Sequence, residues 1–128
     1  MERRHLSPAA LCPPFGRYHQ MVEVRGAGRL LFVSGQLGMD AEGRLPEGAG
    51  AQAELALAAI DACLEAAGMT RADVARLTVF LTDVADRAAY MRARDAWVAD
   101  PPPASTLVVV KELVLPAARV EIEAVAAA

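Results

Sequence analysis

The chain has 128 residues, 55% of them hydrophobic, and a formal net charge of −3 from 13 basic and 16 acidic side chains. That length and apolar content fit a single domain, residues 1–128, with one core that buries roughly two-thirds of the unfolded chain's surface. The acidic balance, with charges interspersed rather than clustered, argues against a nucleic-acid-binding face, which needs a basic patch.

Residues 1–16 read as irregular, broken by Pro8, Pro13, Pro14 and Gly16. No apolar segment follows the polar Met1-Glu2-Arg3-Arg4-His5 start, so a signal peptide is not expected. No apolar run approaches the ~20 residues of a membrane span. A cytoplasmic protein with no membrane partner is the expectation.

A first strand is predicted over 18–24 and a second over 30–34, joined by the glycine-bearing turn Arg25-Gly26-Ala27-Gly28, so the pair reads as a hairpin. His19 follows Tyr18 directly, and strand alternation turns the two to opposite faces. Gly35, Gly38 and Asp40-Ala41-Glu42-Gly43 then loosen the chain. Residues 51–67 form a helix whose stripe is Leu55, Ala59, Cys63 and Ala67, widened by Ile60 and Leu64 and stopped by Gly68.

A strand within 73–82 sends Leu77, Val79 and Leu81 one way and Thr78, Phe80 and Thr82 the other. A second helix over 86–98, capped by Asp83 or Asp86, carries Tyr90, Arg94 and Trp97 on one face. Met91, Arg94 and Val98 lie on an adjacent face. Pro101-Pro102-Pro103 ends it. Strands over 106–111 and 119–126 complete a ββαβαββ order. The economical architecture is α+β, one sheet with both helices on one face. The other face is then left bare, and self-association is the simplest cover.

Reactive side chains are sparse. Cys12 and Cys63 match no metal or redox spacing, and Cys63 reads as a small core hydrophobe. His5 and His19 make no metal site with such partners, and neither stands out as a general base. No metal site is expected from these residues.

Read together, a series of short motifs carries more information. These are Gly16-Arg17-Tyr18, Phe32-Val33-Ser34-Gly35-Gln36, Gln52 at the first helix, Leu64-Glu65-Ala66-Ala67-Gly68, Thr78-Val79-Phe80-Leu81-Thr82-Asp83, Pro103-Ala104 and Val120-Glu121-Ile122-Glu123-Ala124-Val125-Ala126. In this order and spacing the chain resembles the RidA family (reactive intermediate deaminase, YjgF-like, also called L-PSP endoribonuclease). The resemblance implies a chorismate-mutase-like fold, a homotrimer, and small-molecule clefts between neighbouring subunits. It also implies hydrolysis of reactive enamines or imines to 2-keto acids and ammonia without metal or cofactor.

Carried over residue by residue, the resemblance assigns catalytic roles to Tyr18 and Glu121 and cleft lining to Ser34 and Gly35. Pro103-Ala104-Ser105-Thr106 departs from the family's Pro-Ala-Arg-Ser. The arginine that would grip a substrate carboxylate bidentately is Ser105 here. An asparagine of the second helix aligns with Met91, and a cysteine two residues after the arginine aligns with Leu107. These three still line the substrate pocket by position, but the pocket becomes more apolar.

Each assignment has an ordinary structural alternative. Glu121 can belong to a solvated or inter-subunit row with Arg119 and Glu123, Ser34-Gly35 to a turn, and Tyr18 to subunit packing. Among cations that could replace the arginine, Lys111 lies about 20 Å along the strand. Arg17 alternates away from Tyr18, and Arg94 sits on the second helix. A surface role is expected for all three. Three functions follow in order: an imine or enamine hydrolase, a non-catalytic ligand-binding or regulatory trimer, and a ribonuclease.

Overall fold

The computed structural model describes all residues from Met1 to Ala128. Chain order runs β1 (Glu2–Leu6), β2 (Met21–Arg25), β3 (Leu30–Leu37), α1 (Ala49–Ala66), β4 (Val74–Leu81), α2 (Arg87–Trp97), β5 (Ala104–Val109) and β6 (Val120–Ala127). The predicted order is present behind one additional strand. Glu2–Leu6 shows no apolar alternation, so its sequence gives no strand signal. Its pairing comes from Met21–Arg25, with Arg4 reaching Glu23 at 2.9 Å.

That pairing overturns the expected hairpin. β2 runs antiparallel to β1, and β3 instead pairs with β6. The main sheet has the order β3-β6-β4-β5, antiparallel except for the β4–β5 pair. His19, expected on the first strand, precedes it and bridges to Ala104, which joins the β1–β2 ribbon to the β5 edge.

Strand alternation decides the two faces of the sheet. Val74, Leu77, Val79 and Leu81 of β4 and Val120, Ile122, Ala124 and Ala126 of β6 are buried beneath the helices. The intervening Thr78, Phe80, Glu121 and Glu123 stand on the open face. So does Phe32 of β3, which is 72% exposed. The two helices therefore pack on one face of the sheet, as the sequence predicts.

α1 is rotated from its predicted stripe. Ala53, Ala56, Leu57, Ile60 and Leu64 are fully buried, whereas Leu55, Ala59, Cys63 and Ala67 are only half-buried. The larger apolar side chains Leu57, Ile60 and Leu64 lie on the buried stripe at i, i+3 and i+7 and face the sheet. Gln52 is buried with them. Its Nε2 donates to the Pro46 and Ala117 carbonyls at 2.9 and 3.1 Å, and its Oε1 accepts from the Arg119 amide at 2.8 Å. One buried side chain thus satisfies three loop groups. Gly68, at φ +65°, ends the helix as expected, with the Met69 amide reaching back to the Leu64 carbonyl at 2.8 Å.

A polar cluster ties α1 to the end of α2. Asp61 accepts from Arg71 twice at 2.8 Å and from the Trp97 indole at 3.0 Å. The Arg71 guanidinium also lies 5.2 Å from the Trp97 ring centroid. Partial burial opposes ionisation of Asp61, but hydrogen bonds from Arg71 and Trp97 and the charge of Arg71 outweigh it, so the carboxyl lies below its ordinary range. A depressed folded-state value stabilises the fold above the unfolded value of about 4 and loses that contribution as pH falls through the folded value. Asp61→Asn is therefore expected to flatten the acid limb of a urea-denaturation pH series by about 1 kcal/mol or less, since the pair is partly solvent-screened. Parallel wild-type and variant curves below pH 4 would disprove it.

Candidate functional site

A cavity of about 190 Å³ opens between the β5 edge, α2 and the segment that precedes β2. Four of the residues predicted to form the site meet there: Tyr18, Met91, Ser105 and Leu107. Parallel pairing explains the β5 contribution, because Ser105 and Leu107 lie beside Leu77 and Val79 on the helix-facing side. Phe15 and Tyr18 close one wall, their rings edge to face with centroids 6.0 Å apart.

The other wall is α2. Arg87, Tyr90, Met91 and Arg94 follow the i, i+3, i+4, i+7 spacing of one helix face and all line the cavity. The surface role expected of Arg94 is thus wrong, because its side chain is 1% exposed. The spacing that brings Met91 to the pocket brings Arg94 with it, a signal legible in the sequence once Met91 is assigned. Arg17 and Lys111 are exposed as expected.

Charge in this cavity has one sign. Arg94 Nη1 donates to Asp95 Oδ1 at 3.2 Å, while its Nε and Nη2 are buried without a partner in the chain. The Tyr90 hydroxyl is likewise buried without a partner. Burial pushes the Tyr90 phenol well up from its ordinary value, with the nearby Arg94 charge working against that shift, so the hydroxyl stays protonated at neutral pH. No carboxylate lines the cavity.

The remaining predicted residues stand elsewhere. β3 and β6 slip register between Val33 and Gln36, so Ser34 and Gly35 form a bulge facing β6. Gln36 Nε2 donates to the Ser34 carbonyl at 2.9 Å. Glu121 packs over Gly35 so closely that a Cβ added there would lie 2.8 Å from the Glu121 Cδ. Glu121 pairs in register with Phe80, whereas Ser105 pairs with Leu77. The two therefore lie on opposite faces of the sheet, two strands apart. One chain does not bring the Tyr18–Ser105 group and the Gly35–Glu121 group onto one ligand.

Other features offer less. A groove of about 710 Å³ runs outside α1 and α2, but its Asp61 and Arg71 are bonded to each other. His5 and His19 meet with ring centroids 5.3 Å apart, and each Nδ1 contacts the Pro102 carbonyl. Their shared acceptor ties β1 and the segment before β2 to the turn before β5. Cys12 is exposed, while Cys63 packs at the core margin. No group of three His, Cys, Asp or Glu side chains is placed to hold a metal ion, and no helix is long and apolar enough to cross a membrane.

Fold and site together define a small α+β protein with a cavity at its sheet edge and a carboxylate on the opposite face. Residues 9–128 match the family model described as Endoribonuclease L-PSP. A RutC family protein of Aquifex aeolicus is 40% identical over 88% of this chain and 90% of its own. A 2-iminobutanoate/2-iminopropanoate deaminase of Capra hircus is 38% identical over 97% of this chain and 89% of its own. Among solved structures, a Rid family protein of unknown function from Yersinia pestis superposes with a TM-score of 0.87 at 34% identity, covering 100% of both chains. RidA from an Antarctic Psychrobacter bacterium gives 0.75 at 38%, covering 95% of this chain and 94% of that one. The chain belongs to the RidA/YjgF-like, or L-PSP endoribonuclease, family.

Proposed function

We propose that this protein is an imine or enamine hydrolase of the RidA type, acting as a single-domain subunit of a cytoplasmic homotrimer. The observation that carries the reading is the convergence of Tyr18, Met91, Ser105 and Leu107 on one pocket, with Glu121 set over Gly35 on the opposite face. A neighbouring subunit that docks its Gly35–Glu121 face against the β5 edge would complete the cleft. The exposed Phe32 and the half-exposed Val108 on the open sheet face supply apolar surface for that association.

In this reading water adds to the carbon of the C=N bond. The resulting carbinolamine loses ammonia to leave a C=O group. The Glu121 carboxylate takes a proton from the attacking water and passes it to the imine nitrogen, then takes the carbinolamine hydroxyl proton and delivers it to that nitrogen as it leaves as ammonia. Tyr18 positions the substrate. Deaminase relatives at 38% and 41% identity support this substrate class. The loss of the family arginine at Ser105 favours a second reading, a ligand-binding or regulatory trimer without turnover. A ribonuclease fits poorly with the net charge of −3.

A competition assay separates the first two. An amino-acid oxidase releases 2-imino acids in the presence of semicarbazide, and the protein competes with the trap. Wild type is expected to lower semicarbazone formation. If only Ser105→Arg does so, the cleft is intact and its ligand is not a 2-imino acid. If neither does, the binding reading replaces the hydrolase.

A further inference from the structure

We propose that Arg94 is the anion-binding group of this cleft, supplying from α2 the guanidinium that Ser105 does not provide from β5, and that the ligand is a small organic carboxylate with a short apolar tail. The proposal rests on the reading of the Tyr18–Ser105 pocket as the ligand site.

Three observations carry it. First, Arg94 is 1% exposed, lines the pocket, and leaves Nε and Nη2 without a partner. Those two nitrogens form one edge of the guanidinium and point their hydrogens the same way. A forked acceptor with two oxygens matches that edge, and a carboxylate is such an acceptor. Burying a guanidinium with two idle donors opposes folding, and an anion that fills them offsets the cost.

Second, the pocket is cationic in an acidic protein. Arg87 stands two turns before Arg94 on the same face, and no acidic side chain lines the wall. Asp95 reaches only Nη1, from outside the lining. The Tyr90 hydroxyl, held protonated by its burial, adds a neutral donor beside the guanidinium.

Third, the rest of the wall is apolar and the space is small. Met91, Leu107 and Phe15 face a cavity of about 190 Å³. That is below the ~300 Å³ at which sites for drug-sized ligands begin, so it suits a short-chain acid. The substitutions Met91 and Leu107 remove polar partners from the tail, while Arg94 keeps the charge for the head.

The test reads binding without turnover. Isothermal titration at low salt compares 2-oxobutanoate with its neutral counterpart 2-butanone on wild type, Arg94→Met and Arg94→Met/Ser105→Arg. Wild type is expected to prefer the carboxylate. Arg94→Met is expected to lose about tenfold or more of that affinity, leave 2-butanone unchanged, and melt no lower than wild type, because an apolar isostere removes an under-satisfied buried charge. The double variant is expected to regain carboxylate binding. Should Arg94→Met not fold, Arg94→Lys is read instead, with a point charge but no fork and a loss of severalfold.

Carboxylate binding unchanged in Arg94→Met would overturn the proposal. So would a wild type indifferent to charge, or a variant that loses both ligands together. Carboxylate binding without imine hydrolysis would sink the hydrolase reading alone. Wild-type hydrolysis by Arg94→Met would sink the clamp alone.

Discussion

Glu121→Gln is expected to abolish most imine hydrolysis while leaving the fold intact, with a loss of about 10²-fold or more, the scale of a removed general base. Glu121 is half-buried on the open sheet face, against Gly35 at the β3 bulge. The chain's ion pairs leave it out, so its carboxylate is not committed to stability. Glutamine keeps the shape and removes the proton acceptor. The check is the initial rate in the semicarbazide competition, read beside a thermal melt. A variant that keeps half of the wild-type rate would return Glu121 to an inter-subunit or solvated face. A rate loss accompanied by a large drop in melting temperature would instead mark it as an interface residue.

Gly38→Ala is expected to destabilise the fold by about 3 kcal/mol or more, at the upper end for overpacking. Gly38 is buried at the end of β3, where the backbone of Gln52 in α1 passes directly over it. An added Cβ would overlap the Gln52 backbone itself rather than a side chain that could swing away. The strain would act at the residue whose side chain holds the loops before α1 and before β6. Gly28→Ala is the control, because its nearest neighbour would be the Ala128 carbonyl at an ordinary 3.9 Å. Chemical denaturation of the two variants decides it. Equal stabilities would show that α1 shifts freely on the sheet, and with it the wall of the pocket.

The two predictions draw on different levels of information. Glu121 is reached from the sequence motif that ends the chain. The Gly38–Gln52 contact is visible only when strand and helix are seen crossing. The same division holds across the molecule. Alternation along β4 and β6 shows which side chains enter the core, because a strand's two faces follow directly from its backbone period. Gly68 and the three prolines after α2 likewise mark helix ends by local backbone preference.

Features that depend on distant partners were not legible. β1 has no apolar alternation and is a strand because Met21–Arg25 offers it a ladder. α1 is apolar nearly all round, and which of its apolar stripes meets the sheet is decided by the packing of Leu57, Ile60 and Leu64. Arg94 shares a helix face with Met91 in the sequence, but its burial comes only when the β5 edge and the Phe15–Tyr18 segment meet that face. By itself, then, the sequence determined the order of elements from β2 onward, the buried faces of β4 and β6, the family, and four residues, Tyr18, Met91, Ser105 and Leu107, that meet at one cavity. Tertiary structure alone decided that Ser105 and Glu121 stand on opposite faces of the sheet and that a buried guanidinium lines the same cavity as Ser105. Local preferences and period act over a few residues, whereas pairing, rotation and burial are set by whatever the rest of the chain brings into contact.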